Sequence, residues 1–184
     1  MKMHLRLVLS SLIILWGGAA HAGPPKPLRA RYIVTVADDF VVEVYHNGRA
    51  IPHARRQLLC EKFGATAEKI EVEVHAGDWL VFNVVNNQMR WNGAYYFAAA
   101  GCLDKDHFGF VSTLDGGEWS ACDTFGDVDK FITEKTYFQH RPAQSVNQVW
   151  KDGDGLMKKY SGESWAGSPV WGNARNTWVK VAVR

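Results

Sequence analysis

The alternation in Lys69-Ile70-Glu71-Val72-Glu73-Val74-His75 limits what this chain can fold into more than any other stretch. Successive side chains of a strand point to opposite faces, so Ile70, Val72 and Val74 share one face and Lys69, Glu71, Glu73 and His75 share the other. Such a strand belongs to a sheet with one packed face and one wet face, the pattern of antiparallel sheets. Its neighbours agree. In Phe40-Val41-Val42-Glu43-Val44-Tyr45 the apolar residues Phe40, Val42 and Val44 fall on one face, and Asn47-Gly48 supplies the positive φ angles of a tight hairpin turn. After the turn at Gly77-Asp78, Trp79 to Val85 is almost continuously apolar, as expected near the middle of a sandwich.

The remaining segments extend this pattern. Tyr32 to Val36 reads as the first strand, with a turn at Ala37-Asp38-Asp39. Arg55 to Glu68 lacks a clean period and reads as a loop or distorted edge, anchored by Leu58, Leu59 and Phe63. Asn86 to Gly93 is a polar loop. Ala94 to Ala100, closed by Gly101, is a strand whose small side chains imply a bulky neighbour packed close against it. Phe108 to Thr113, Glu118 to Cys122, Val146 to Trp150 and Thr177 to Val183 read as further strands, and Asp123 to Gly172 is otherwise turn-rich. About seven or eight short strands without an amphipathic helix predict an all-β, two-sheet antiparallel β-sandwich with few or no helices.

The start of the chain has a different character. Lys2 and Arg6 precede an apolar run from Leu7 to Trp16, and Ala20-His21-Ala22 has the small-x-small form of a cleavage site. Residues 1–22 are therefore expected to be a signal peptide, residues 23–29 a Pro-rich leader, and residues 30–184 a single domain. The apolar run is far short of the roughly 20 residues that span a bilayer. The domain is expected without a transmembrane anchor, secreted or periplasmic. Of the 21 Lys and Arg, two lie in the first 22 residues, and the rest balance the 19 Asp and Glu. That neutrality gives no bulk attraction to nucleic acid or to an anionic membrane surface.

Cys60, Cys102 and Cys122 lie in the expected domain. An oxidising compartment favours one disulfide and one free thiol; Cys102 with Cys122 is the preferred pair, since the two flank the strand at Phe108. No Cys-x-x-Cys is present, so neither a zinc ribbon nor a thioredoxin-type site is indicated.

In chain order, Ala37-Asp38-Asp39 precedes a strand ending in Asn47-Gly48, and Gly77-Asp78-Trp79-Leu80-Val81-Phe82 leads into Asn86-Asn87. Gly93 with Ala94 to Ala100, Trp119, Pro169-Val170-Trp171-Gly172 and Thr177-Trp178-Val179 follow. With these residues the chain resembles the galactose-binding-domain-like jelly roll of lectins and carbohydrate-binding modules. The resemblance spans most of the chain after residue 22 and departs from the family form at Arg55 to Glu68 and at Asp123 to Gly167. It implies a non-catalytic module that presents loops at one end of a sandwich to a carbohydrate or extracellular protein ligand, sometimes with a structural calcium ion.

An indole can stack on the apolar face of a pyranose while polar side chains take its hydroxyls. Trp91 sits in a polar loop with Arg90, Asn92 and Asn87, and Trp165 lies in Gly162-Glu163-Ser164-Trp165-Ala166-Gly167. These five residues are the candidate ligand contacts, although an exposed Trp covering a hinge has the same sequence. Trp79 and Trp178 sit in strands and read as core, and the resemblance implies structural places for Trp119 and Trp171. Asp152-Gly153-Asp154-Gly155 partly resembles a calcium loop, with a solvated turn as the competing reading. The histidines show no metal-binding spacing, the chain lacks the Cys-His-Met cluster of a blue-copper site, and no Gly-x-Ser-x-Gly elbow is present. The expected function is non-catalytic ligand binding with no cofactor beyond a structural calcium, or else a structural, protein-interaction role in an envelope or extracellular assembly.

Overall fold

In the computed structural model, which describes residues 23–62, 64–86, 95–112, 119–123, 125–139, 148–162 and 167–184, the alternating stretches pair into two antiparallel sheets. The strands are β1 (Leu28–Asp38), β2 (Phe40–His46), β3 (Arg49–Ala50), β4 (Arg56–Lys62), β5 (Ala65–His75), β6 (Trp79–Val85), β7 (Phe97–Cys102), β8 (Phe108–Val111), β9 (Trp119–Cys122) and β10 (Asn176–Ala182). One five-stranded sheet, sheet A, has the order β4-β5-β1-β7-β8; the other, sheet B, has the order β3-β2-β6-β10-β9. The expected two-sheet antiparallel β-sandwich is present. Asn47 and Gly48 take φ of 51° and 78°, as the hairpin between β2 and β3 requires.

Ile70, Val72 and Val74 face the space between the sheets, as their spacing predicts, and meet Leu80, Phe82, Val84, Val179 and Val181 from sheet B. Phe82, Phe97 and Trp119 form the aromatic centre, with ring centroids 4.9 Å apart for Phe82 and Phe97 and 6.3 Å apart for Phe97 and Trp119. Burying each such side chain stabilises the fold by roughly 1.5–3 kcal/mol. Trp119, Trp171 and Trp178 are buried, and the half-buried Trp79 donates its indole N–H to Ile132 O at 2.9 Å.

Among the described residues, two helices were not anticipated. α1 (Val128–Thr133) lies on the outer face of sheet B, where Val128, Phe131 and Ile132 pack on Val81, Cys122 and Trp178. α2 (Gln148–Ser161) lies on the outer face of sheet A, with Met157, Leu156 and Tyr160 against Val34, Val36, Ala98 and Ala100. The bulky neighbour implied by the alanines of β7 is therefore a helix. On the other side of the same strand pair, a Cβ on Gly101 would strike the ring of Phe110 on β8. Val146 to Trp150 is not the expected strand, because residues 148–150 open α2.

β2 needs a further correction, and β4 bears out one of two readings. A bulge between Val41 and Glu43 shifts the register of β2, so Val41 and Val44 point inward rather than Phe40, Val42 and Val44. Of the two readings of Arg55 to Glu68, the distorted edge is the one present: the segment holds the edge strand β4 and the first residues of β5. Its poor period has a cause. A second register shift lies between Leu58 and Cys60, and Leu58 is 55 % exposed.

The expected Cys102–Cys122 disulfide is absent, and all three cysteines are free thiols. Cys102 lies on the outer face of sheet A under α2, and Cys122 on the outer face of sheet B under α1. Packed sheets stand about 10 Å apart, beyond the reach of a disulfide.

Candidate functional site

β1 belongs to sheet A and β2 to sheet B, so the chain crosses between the layers at Asp38-Asp39. Both aspartates are buried there, 5 % and 8 % exposed. The crossing is held by bonds from Asp38 N to Tyr96 O (3.0 Å), Asp39 N to Val85 O (3.1 Å) and Thr66 Oγ1 to Asp39 O (2.8 Å). Burial, followed by the hydrogen bond and negative charge of Asp39, pushes the Asp38 carboxyl up to about 7. Out of water, a second negative charge beside a carboxylate is costly, which favours the protonated form of Asp38.

Asn86 ties this acid pair to the next loop. Its Nδ2 donates to Asp38 Oδ1 at 3.3 Å, its backbone N donates to Arg175 O at 2.9 Å, and Arg175 Nε donates to Asn86 O at 3.0 Å. Residue 95, on the far side of the loop, is equally anchored. The Tyr95 ring lies 5.8 Å from the ring of Trp171, and the adjacent Val170 exchanges both backbone bonds with Phe97 at 2.7 and 2.9 Å. Trp171 in turn donates to Ala174 O at 2.8 Å. Asn86 and Tyr95, the described residues on either side of segment 87–94, thus rest on a buried polar and aromatic platform. Both carboxyls are enclosed, and that of Asp38 holds the Asn86 side chain.

Four of the expected ligand contacts, Asn87, Arg90, Trp91 and Asn92, belong to segment 87–94 and lie outside the described residues, as does Trp165. Asp152 and Asp154 do not form a turn. Both fall within α2, and Asp154 Oδ2 pairs with Lys158 Nζ at 2.9 Å, one helical turn on. The helix forms despite Gly153 and Gly155 because its apolar face covers sheet A. Among the described residues, no group of three His, Cys, Asp or Glu side chains is arranged to hold a metal ion.

The opposite end of the sandwich carries a polar cluster that the sequence reading missed. Asp78 Oδ2 accepts from His75 N at 2.8 Å and lies 2.9 Å from His46 Nε2, while Asn47 Oδ1 accepts from Trp79 N at 3.0 Å. Burial works against the Asp78 carboxylate, but the bonds from His75, His46 and Asn47 outweigh it and hold its pKa below the ordinary value. The cluster clamps the Asn47-Gly48 turn to the Gly77-Asp78 turn. The available signal was the placement of His46 and His75 beside those two turns. Set against known proteins, the chain matches no protein-family model, no curated protein and no solved structure.

Proposed function

We propose that this chain is an exported, non-catalytic binding module of the galactose-binding-like kind. It takes a carbohydrate, or another extracellular ligand, at the end of the sandwich where segment 87–94 emerges. The observation that carries this reading is the way both roots of that segment are fixed: Asn86 by Asp38 and Arg175, Tyr95 by Trp171. Fixed roots reduce the ordering cost of binding through a loop. The placement of the helices adds support, since α1 and α2 cover outer faces of the two sheets and leave the ends to the loops. In this reading Trp91 stacks on a sugar ring, and Arg90, Asn92 and Asn87 take its hydroxyls.

Replacing Trp91 by Ala is expected to weaken binding of a glycan identified by array screening roughly tenfold or more, with the melting temperature unchanged. Unchanged affinity in calorimetric titration removes the end-loop site. The protein-interaction alternative has less support among the described residues. The large exposed apolar side chains Leu58 and Phe138 (49 % exposed) belong to opposite layers and form no shared patch.

A further inference from the structure

β3 ends at Ala50, Ile51 N adds one bond to Val44 O at 2.8 Å, and the chain then turns away through Pro52 and a short 3-10 turn at His53–Arg55. It returns at Arg56, whose guanidinium covers the carbonyls freed by the β2 bulge, reaching Val41 O at 2.6 Å and Val42 O at 2.8 Å. The gap left along β2 is a cavity of about 250 Å³ lined by Glu43, Ala50, Ile51, Pro52, His53 and Arg56.

Its one carboxylate, Glu43, is only partly satisfied. Glu43 Oε2 accepts from Tyr45 OH at 2.6 Å, but among the described residues the other carboxylate oxygen accepts no bond and the side chain makes no ion pair. Directly opposite Glu43 on β6 is Asn83, whose Oδ1 is buried and accepts nothing. The charge of Arg56 is matched by Glu68 at 2.7 Å, and its four bonds commit all but one of the five guanidinium N–H groups. Glu43 thus brings to the lining a carboxylate oxygen that needs a donor, beside His53, whose ring can donate or accept. A primary ammonium has three N–H groups and no acceptor.

We propose that this cavity binds a sugar carrying a free ammonium group, a hexosamine. The ammonium sits on Glu43, the carbon face of the ring lies on Ile51 and Pro52, and the last Arg56 N–H takes a hydroxyl. The volume is below the roughly 300–1,000 Å³ of a drug-sized site and suits a single ring. The proposal rests on the carbohydrate reading but uses none of the end-loop residues.

The test is calorimetric titration of glucosamine, N-acetylglucosamine and glucose into the wild-type protein, Glu43→Gln and Trp91→Ala, at a mildly acid pH where the amine is charged. Glucosamine is expected to bind roughly ten- to hundredfold tighter than its acetylated form, as loss of a charge-assisted bond implies. Glu43→Gln, which keeps an acceptor for Tyr45, should abolish that preference with no change in melting temperature, and Trp91→Ala should leave it intact. Equal binding of the three sugars, or a preference that survives Glu43→Gln, overturns the proposal. A Trp91-dependent affinity for neutral glycans without any amine preference removes the cavity and leaves the end-loop reading standing. A Glu43-dependent amine preference with no Trp91 effect on any glycan does the reverse.

Discussion

Asp38 shows how one buried acid couples this fold to pH. Its pKa is about 7 in the folded protein against an ordinary value of 3.8, so the native state holds a proton that the unfolded chain has lost across that window. The stabilising contribution is complete below the unfolded pKa and is lost as pH rises through the folded pKa. Asp38→Asn imitates the protonated acid, keeping an acceptor for Asn86 and a donor for Asp39. It should stabilise the protein on the order of 2 kcal/mol at pH 8 and flatten the fall in stability between pH 4 and 8. Urea unfolding across that range checks it; a slope equal to that of the wild type would show that Asp38 ionises freely. Part of this was legible, since Asp38-Asp39 stands out as a turn between strands. The burial and the bond to Asn86 were not, because Asn86 lies 48 residues away.

The bulge in β2 is the element on which the strand reading slipped. A bulge adds one residue to a strand and moves the following side chains to the opposite face, so a strict period of two misplaces Phe40 and Val42. The cost of the bulge falls on the carbonyls of Val41 and Val42, which β3 is too short to reach and Arg56 covers instead, with its side chain only 6 % exposed. Arg56→Ala is expected to destabilise the fold by about 2–4 kcal/mol, since it leaves Glu68 without its partner and two edge carbonyls bare. The same change should promote association through the uncovered edge of β2. Chemical denaturation and light scattering measure the two effects, and a loss below about 0.5 kcal/mol would show that water replaces the guanidinium. Helix α2 escaped the sequence reading for a related reason. Its glycines argue against a helix, and the alanine face of β7 that stabilises it lies far away in the chain.

At the scale of the whole molecule, the two layers and their covering helices decide which distant groups meet. Cys102 and Cys122 end on opposite outer faces, and burial pushes the Cys102 thiol up to about 12, which leaves it unreactive. Maleimide labelling of the native protein should therefore modify Cys60 alone, and all three thiols after unfolding; protection of Cys102 and Cys122 in the unfolded, unreduced chain would restore the disulfide. Lys180 shows the same dependence on the whole. Alternation places it on the outer face of β10, yet it is fully buried there, donating to Glu134 O at 2.9 Å and Tyr137 O at 2.7 Å just beyond α1 and lying over the Phe131 ring. The sequence by itself determined most of the strands, the inner faces of β5 and β10 and the hairpin at Asn47-Gly48, because alternation and turn chemistry act over a few neighbouring residues. Only the tertiary structure decided the β2 bulge, the two helices, the free thiols and the meeting of Asp38 with Asn86 and of Glu43 with Asn83. Those depend on register and layer packing between segments far apart in the chain, for which no local pattern exists.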